Sequence, residues 1–188
     1  PNVELEFFDA GHILGSAMAV FTIIDEGKET KIAFTGDLGR KGKAIIKDPE
    51  LLPPVDYIVL ESTYGDRLHE SKDSAISILK EKVKRLVKTH GKMIIPAFAV
   101  ERTQELVYYF HLLVDQGVIP SIPIYVDSPM AVNATTIFQT HPECYDEKTY
   151  QAFIKHHKNP FGFNSLKFIT SVDESKALND VEGPMIII

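Results

Sequence analysis

The sequence predicts an α/β fold in which strands and loops fill the first third of the chain and helices alternate with strands after it. Short apolar runs without helical periodicity dominate the first third, which is typical of strands. After Glu61, stretches with apolar residues three and four positions apart alternate with short apolar runs. That alternation predicts a mainly parallel sheet flanked by helices on both faces.

Four strands are predicted in the first third, at residues 3–8, 17–24, 31–35 and 57–61. Residues 26–29 lie between the second and third strands and have the composition of a hairpin turn. A long connection stiffened by prolines leads from the third strand to the fourth.

Amphipathic periodicity predicts helices in the rest of the chain, at residues 71–90, 101–116, 133–139, 146–157 and 174–178. Ser71 or Asp73 is suited to cap the first of them. Ser128, followed by Pro129, has the composition of an N-cap and first helical position. Short apolar runs between the helices predict strands at residues 93–96, 122–127, 166–170 and 185–188.

Composition indicates a folded protein of the reducing, intracellular environment. The chain of 188 residues is 44% hydrophobic and 24% charged, which excludes a disordered class. Its single cysteine, Cys144, excludes an internal disulfide and a cysteine-built zinc site, and favours a cytoplasmic location. No apolar run approaches the roughly 20 residues of a membrane span. A net charge of −6 gives no overall attraction to nucleic acid, although lysines and arginines concentrate at residues 80–92 and 40–47. Each group is either a solvated face or an edge that attracts phosphate.

Three candidate site residues follow strands in the first third. His12 and Asp37 each stand between glycines after a strand that we expect to be buried. Glycine lets a ligand approach the backbone closely, and imidazole and carboxylate are ligands of zinc. Glu61 ends the fourth strand, where an unpaired buried carboxylate would be costly. We therefore expect Glu61 to lie in a solvent cleft or to have a partner.

Two further candidates, Arg102 and Ser128, follow the next two strands near helix N-termini. Ligands of open parallel sheets bind at the carboxyl ends of the strands, and helix N-termini suit phosphate oxygens. For Ser128, a plain N-cap is the simpler interpretation. The sequence has no phosphate loop of the Walker type, and Ser16 lacks the second glycine of a nucleophile elbow.

Five segments together resemble one protein family. DAGHILGS at residues 9–16 and FTGD at 34–37 resemble the third and fourth metal motifs of the metallo-β-lactamase superfamily. LESTYGDR at 60–67 resembles motif A of its β-CASP branch, which contains RNA-processing endonucleases and exonucleases. IPAFAVERTQEL at 95–106 and YVDSPMA at 125–131 are similar to other β-CASP segments. The five occur in the family order, and the resemblance covers nearly the whole chain.

The resemblance implies part of a metallo-β-lactamase-like αββα layer at residues 1–63, followed by a β-CASP domain at residues 64–188. One departure is Glu101, where many family members carry glycine before the arginine. The family's His-x-His-x-Asp-His motif does not occur in this chain, and we expect it to lie upstream of residue 1. We expect the later histidines of the family motifs B and C to follow residue 188. We therefore expect an internal fragment that is inactive by itself and binds zinc weakly or not at all.

The resemblance also implies roles for the candidate residues. His12 would ligate one zinc, Asp37 would bridge two zincs, and Glu61 would help to handle protons beside the metals. Arg102 and Ser128 would hold substrate phosphates. A pair of zinc ions would activate a hydroxide for hydrolysis of an RNA phosphodiester.

The implied partner is RNA, with no membrane, and both a homodimer and membership of a processing complex stay open. The main alternative is a non-catalytic β-CASP paralogue that serves as an RNA-binding or scaffold subunit. A hydrolase of small molecules is disfavoured, because it would not need the helix-rich insertion after Glu61 to clamp a substrate.

Overall fold

The computed structural model describes residues 2–68, 72–155 and 159–188, and the chain divides into two compact units. The first unit consists of Pro1–Leu68 together with Cys144–Glu147. The second consists of His69–Glu143 and Lys148–Ile188. Each unit contains its own four-stranded sheet.

The sheet of the first unit is an antiparallel meander of three strands with one parallel strand added at its edge. Its strands are β1 (Asn2–Asp9), β2 (Ala17–Asp25), β3 (Lys28–Phe34) and β4 (Tyr57–Val59), in that order. The first three are antiparallel, whereas β4 pairs with β3 in parallel. The connection between β2 and β3 is a two-residue turn in which Glu26 and Gly27 both have positive φ, 50° and 80°. This geometry matches the right-handed twist of the strands, so the predicted hairpin turn is confirmed.

The expectation that buried strands precede His12 and Asp37 is wrong, and the strand before Glu61 is not buried either. In β1 the side chains of Val3, Leu5 and Phe7 are all more than 45% exposed, and β4 is exposed along its whole length. Burial in this sheet is concentrated in β2, where alternate residues point inward, and at Ala33 of β3. The apolar pattern of β1 marks a strand correctly, but in the described part of the first unit no second layer covers that face.

The second unit alternates helices and strands. Its elements are α1 (Lys72–Thr89), β5 (Lys92–Ile94), α2 (Arg102–Asp115), β6 (Ile124–Val126), α3 (Pro129–Thr140), α4 (Glu147–Tyr150), β7 (Leu166–Phe168), α5 (Val172–Ala177) and β8 (Met185–Ile187). The strand order is β5-β8-β6-β7, and every pair is parallel. This confirms the predicted parallel sheet. A π-helical turn, Gln151–Lys155, follows α4 where a single longer helix was predicted. The end of that predicted helix at 156–157 and the Ser71 cap lie outside the described residues.

A hydrophobic core packs α1 and α2 of the second unit on its sheet. Its buried members are Val83, Leu86, Phe110, Leu113, Ile119, Ile122, Ile124 and Ile186. The first two lie on the predicted apolar face of α1, the next two lie on α2, and the last two are strand residues. The helical periodicity of the sequence therefore identifies the packed faces correctly.

Phenylalanine truncation at two positions of the second unit tests this packing. Phe110 is fully buried in the core, so Phe110→Ala is expected to lower the free energy of unfolding by about 3–5 kcal/mol. Phe98 is 85% exposed, so Phe98→Ala is expected to change that free energy by less than about 0.5 kcal/mol. Urea unfolding of the two variants, followed by circular dichroism, makes the comparison. Equal losses would contradict the assigned core.

Candidate functional site

His12 lies in a tight turn between β1 and β2 that Ser16 closes. The Ser16 hydroxyl oxygen accepts hydrogen bonds from the backbone N–H groups of His12 and Ile13, at 3.0 and 3.2 Å. The Ala10 N–H donates to the Ser16 carbonyl at 3.1 Å. His12 itself is half-buried. The turn therefore holds the His12 backbone in one conformation while leaving its imidazole partly accessible.

Asp37 lies in the loop that follows β3, and this loop contacts the His12 turn. The Gly39 N–H donates to the Ala10 carbonyl at 2.8 Å. A Cβ atom on Gly39 would lie 1.9 Å from the Gly11 carbonyl oxygen and 2.6 Å from the His12 nitrogen. Only glycine permits such an approach of two backbones. The loops that carry His12 and Asp37 are thus joined directly, with the Asp37 side chain exposed.

Glu61 connects the end of β4 to the Asp37 loop. Its carboxylate accepts a hydrogen bond from the Leu38 N–H at 2.5 Å and another from the Thr63 hydroxyl at 2.7 Å. These two bonds, the Thr63 bond first, hold the pKa of Glu61 below its usual 4.5 against the opposing effect of desolvation. Attraction to His12 lowers the pKa further. Glu61 is therefore a partnered, ionised carboxylate beside both loops.

Residues of the long connection before β4 form hydrogen bonds with the His12 turn and with Asp9. The Lys43 ammonium donates a hydrogen bond to the His12 carbonyl. Glu50 exchanges two bonds with Asp9, accepting from its N–H at 2.7 Å and donating its own N–H to the Asp9 carbonyl at 2.9 Å. Sequence reasoning missed both residues and counted Lys43 only within a basic loop. Their separation from the turn along the chain leaves no local pattern that identifies them.

The metal-binding capacity of these residues can be judged from their donor atoms. An imidazole and a carboxylate on adjoining loops are suitable donors for zinc. Across residues 2–68, 72–155 and 159–188, however, no group of three or more histidine, cysteine, aspartate or glutamate side chains is placed to hold a metal. Catalytic zinc takes three protein ligands. The donor atoms of His12 and Asp37 therefore suit a metal, but the described residues do not provide a complete set of ligands.

Arg102 and Ser128 belong to the second unit, after β5 and β6. The Arg102 guanidinium donates to the Glu105 carboxylate at 2.7 Å, and its side chain stays 59% exposed while that of Glu105 is 7% exposed. Ser128 caps α3, since its hydroxyl oxygen accepts from the Ala131 N–H at 3.2 Å. Both residues thus lie at the carboxyl edge of the parallel sheet, as predicted, and Ser128 has the N-cap function of the simpler interpretation.

Gln104 joins the segments that carry these two residues. Its side chain is fully buried. The side-chain amide nitrogen donates to the Ala99 carbonyl at 3.1 Å and to the Thr135 hydroxyl of α3 at 2.9 Å. One amide therefore links the turn before Arg102 to the helix that begins after Ser128. The sequence analysis missed Gln104, because a glutamine in an amphipathic helix is normally read as a surface residue.

Glu101 occupies a conformation that favours glycine. Its φ and ψ are 71° and −61°, and the Arg102 N–H donates to the Val100 carbonyl at 2.9 Å, which together define a γ-turn. For a residue with a side chain this conformation costs about 1–3 kcal/mol. Glu101 therefore places strain directly before Arg102.

Comparison with known proteins identifies relatives across the whole chain. Residues 103–188 match the family described as the Beta-Casp domain. The chain is 34% identical to a ribonuclease of Thermus thermophilus over 99% of its own length. The chain is 33% identical over its own full length to the transcription termination factor FttA of Methanosarcina mazei. It is 30% identical to subunit 3 of the cleavage and polyadenylation specificity factor of Dictyostelium discoideum over 98% of its length.

The chain covers only part of each of these relatives, namely 42%, 30% and 23% of their lengths. The resemblance deduced from the five sequence segments is confirmed. Among the helices in the described part of the chain, none has the length and hydropathy to cross a membrane.

Substitution of Gly39 tests the contact between the two loops. Gly39→Ala is expected to destabilise the first unit by about 1–3 kcal/mol, because the new methyl group would overlap the Gly11 backbone. Gly91→Ala is the matched control, since a Cβ there meets its nearest neighbour at an ordinary 3.5 Å. Urea unfolding and the amide NMR shifts of residues 10–16 report the effect. Unchanged stability and shifts in Gly39→Ala would show that the loops are not in contact.

The titration of Glu61 tests the hydrogen bonds that hold it. Thr63→Ala is expected to raise the Glu61 pKa toward 4.5, whereas Thr63→Ser keeps the hydroxyl and the lowered value. Because the folded pKa is depressed, the stabilisation is present above pH 4.5 and is lost as the pH falls through the folded pKa. Carbon-13 NMR of the Glu61 carboxyl measures the shift. An identical pKa in both variants would refute the assigned bond.

Proposed function

Since residues 103–188 belong to the Beta-Casp domain family, we propose that this chain is part of a metal-dependent nuclease that hydrolyses RNA phosphodiester bonds in RNA processing or decay. The proposal rests above all on the contact between the His12 and Asp37 loops, because it places two residues of the kind that bind metals on adjoining loops. The relative named ribonuclease supports the same activity.

In this proposal His12 and Asp37 hold metal in the first unit, which corresponds to the metallo-β-lactamase-like part of the chain. Zinc suits their nitrogen and oxygen donors, and two zinc ions are expected in the complete site. The bound metal would supply an ionised water as nucleophile and offset the charge of the leaving oxygen. Further ligands would have to come from residues other than those described.

Glu61 is proposed to orient the site and assist proton handling. A carboxylate with a lowered pKa is a weak base, so it is better suited to orient a proton-carrying partner than to remove a proton itself. Its bond to the Leu38 N–H also fixes the backbone next to Asp37. Loss of Glu61 would therefore disturb both the charge around His12 and the position of the Asp37 loop.

Arg102 and Ser128 are proposed to hold substrate phosphates in the second unit, which corresponds to the β-CASP domain. The exposed guanidinium of Arg102 is oriented by Glu105 and retains further N–H donors for phosphate oxygens. The Ser128 hydroxyl accepts one bond as a cap, and its hydrogen can still be donated to a ligand. RNA is the proposed partner, and cleavage within the strand and from its end are both compatible with these roles.

A nuclease assay on the complete protein that contains this chain tests the proposal. Asp37→Asn and His12→Ala are expected to lower kcat by more than about 100-fold. Loss of a residue that only supports a metal ligand costs up to about 100-fold, and these two residues are the proposed ligands themselves. Asp25→Asn, at an exposed position at the end of β2, is the matched control. Chelator is expected to abolish cleavage of end-labelled RNA, and added zinc is expected to restore it.

Cleavage that survives chelation, or full activity of Asp37→Asn, would overturn the metal mechanism. Tight RNA binding without any cleavage by the wild-type protein would instead favour the non-catalytic RNA-binding or scaffold subunit.

A further inference from the structure

Phe98 combines an exposed side chain with a fixed backbone. Its ring is 85% exposed. Its carbonyl oxygen accepts hydrogen bonds from the Thr103 hydroxyl at 2.8 Å and from the Thr103 N–H at 3.3 Å, and Thr103 is buried. The next carbonyl, of Ala99, is held by the buried Gln104 amide. The ring is therefore presented to solvent on a rigid support, which reduces the entropy lost when a ligand covers it.

A cavity of about 480 Å³ lies beside this ring, within the range of ligand pockets. It is lined by Ile95, Pro96, Ala97, Phe98, Arg102 and Leu106. All of these except Arg102 are apolar, so one cationic group faces an otherwise apolar wall. The cavity follows β5 at the carboxyl edge of the parallel sheet, where ligands of such sheets bind.

We propose that Phe98 stacks on a nucleobase of single-stranded RNA while Arg102 binds the adjacent phosphate. This inference rests on the proposed function and names how its substrate is held. Each base has an apolar π face and each nucleotide an anionic phosphate, which match the aromatic and the cationic side of this cavity. Stacking on an aromatic ring is tolerant of base identity, so Phe98 would contribute affinity and register without selecting a sequence.

The cation and the size of the cavity favour RNA over a protein partner. An apolar protein surface would not need a cation at this place, whereas here the apolar wall includes a guanidinium already oriented by Glu105. That guanidinium remains 59% exposed and so is accessible to a phosphate. Ring and cation are separated by three residues on one short segment whose backbone is fixed at both Phe98 and Ala99.

Binding of a fluorescent single-stranded RNA to the complete protein tests the stacking. The Asp37→Asn background prevents turnover during the measurement. Phe98→Ala and Phe98→Leu are each expected to raise Kd by about 5- to 150-fold, the range for loss of one stacked base. Phe98→Tyr and Phe98→Trp keep the π face and are expected to bind like the wild type. A merely apolar role would be preserved by leucine, so Phe98→Leu separates the two explanations.

A series of RNAs that each lack one base locates the contact. When position 98 is phenylalanine, removal of one particular base from the RNA is expected to weaken binding. In Phe98→Ala, removal of the same base is expected to have no further effect. Because the ring is exposed, circular dichroism is expected to show that all four variants fold normally.

Wild-type affinity in Phe98→Leu, or equal sensitivity to the missing base in Phe98→Ala, would overturn the inference and leave Phe98 as a protein contact. Those results would leave the proposed nuclease intact if the wild-type protein still cleaves RNA. Failure of the wild-type protein to bind or cleave RNA would instead contradict the proposed function itself.

Discussion

The close approach of Gly39 to the backbone of Gly11 is the contact on which the first unit depends. A Cβ at Gly39 would lie within 1.9 Å of a carbonyl oxygen, so the two loops can meet only because this position has no side chain. The contact joins the turn that carries His12 to the loop that carries Asp37. Glu61 then binds the Leu38 N–H of the second loop, and its charge acts on His12 of the first. Residues that follow three separate strands are thereby linked to one another.

The second unit achieves a similar result with a buried amide. Because all its strand pairs are parallel, the segments after β5 and β6 emerge at the same edge of the sheet. Gln104 fixes them to each other through Ala99 on one side and Thr135 on the other. The strained Glu101 turn adds a further constraint directly before Arg102. Hydrogen-bonded backbones thus carry the candidate side chains in both units, and such fixed positions would favour the proposed binding and hydrolysis.

Local patterns in the sequence predict much of this architecture. The Glu26–Gly27 hairpin, the amphipathic face of α1 and the Ser128 cap all depend on neighbours along the chain, and all three occur in the structure. The exposure of β1 could not be predicted, because an apolar strand looks the same whether or not another layer covers it. The same limit applies to the site. His12, Asp37 and Glu61 are found from glycine-flanked motifs, whereas Lys43 and Gln104 act through contacts distant in sequence.

Central to the proposed function is the binding of a metal by His12 and Asp37 on the two joined loops. Crystals of the complete protein, measured on both sides of the zinc absorption edge, test that claim most directly. The account predicts an anomalous peak about 2.0–2.2 Å from a ring nitrogen of His12 and from a carboxylate oxygen of Asp37. A metal bound elsewhere, with both residues outside its coordination sphere, would contradict it.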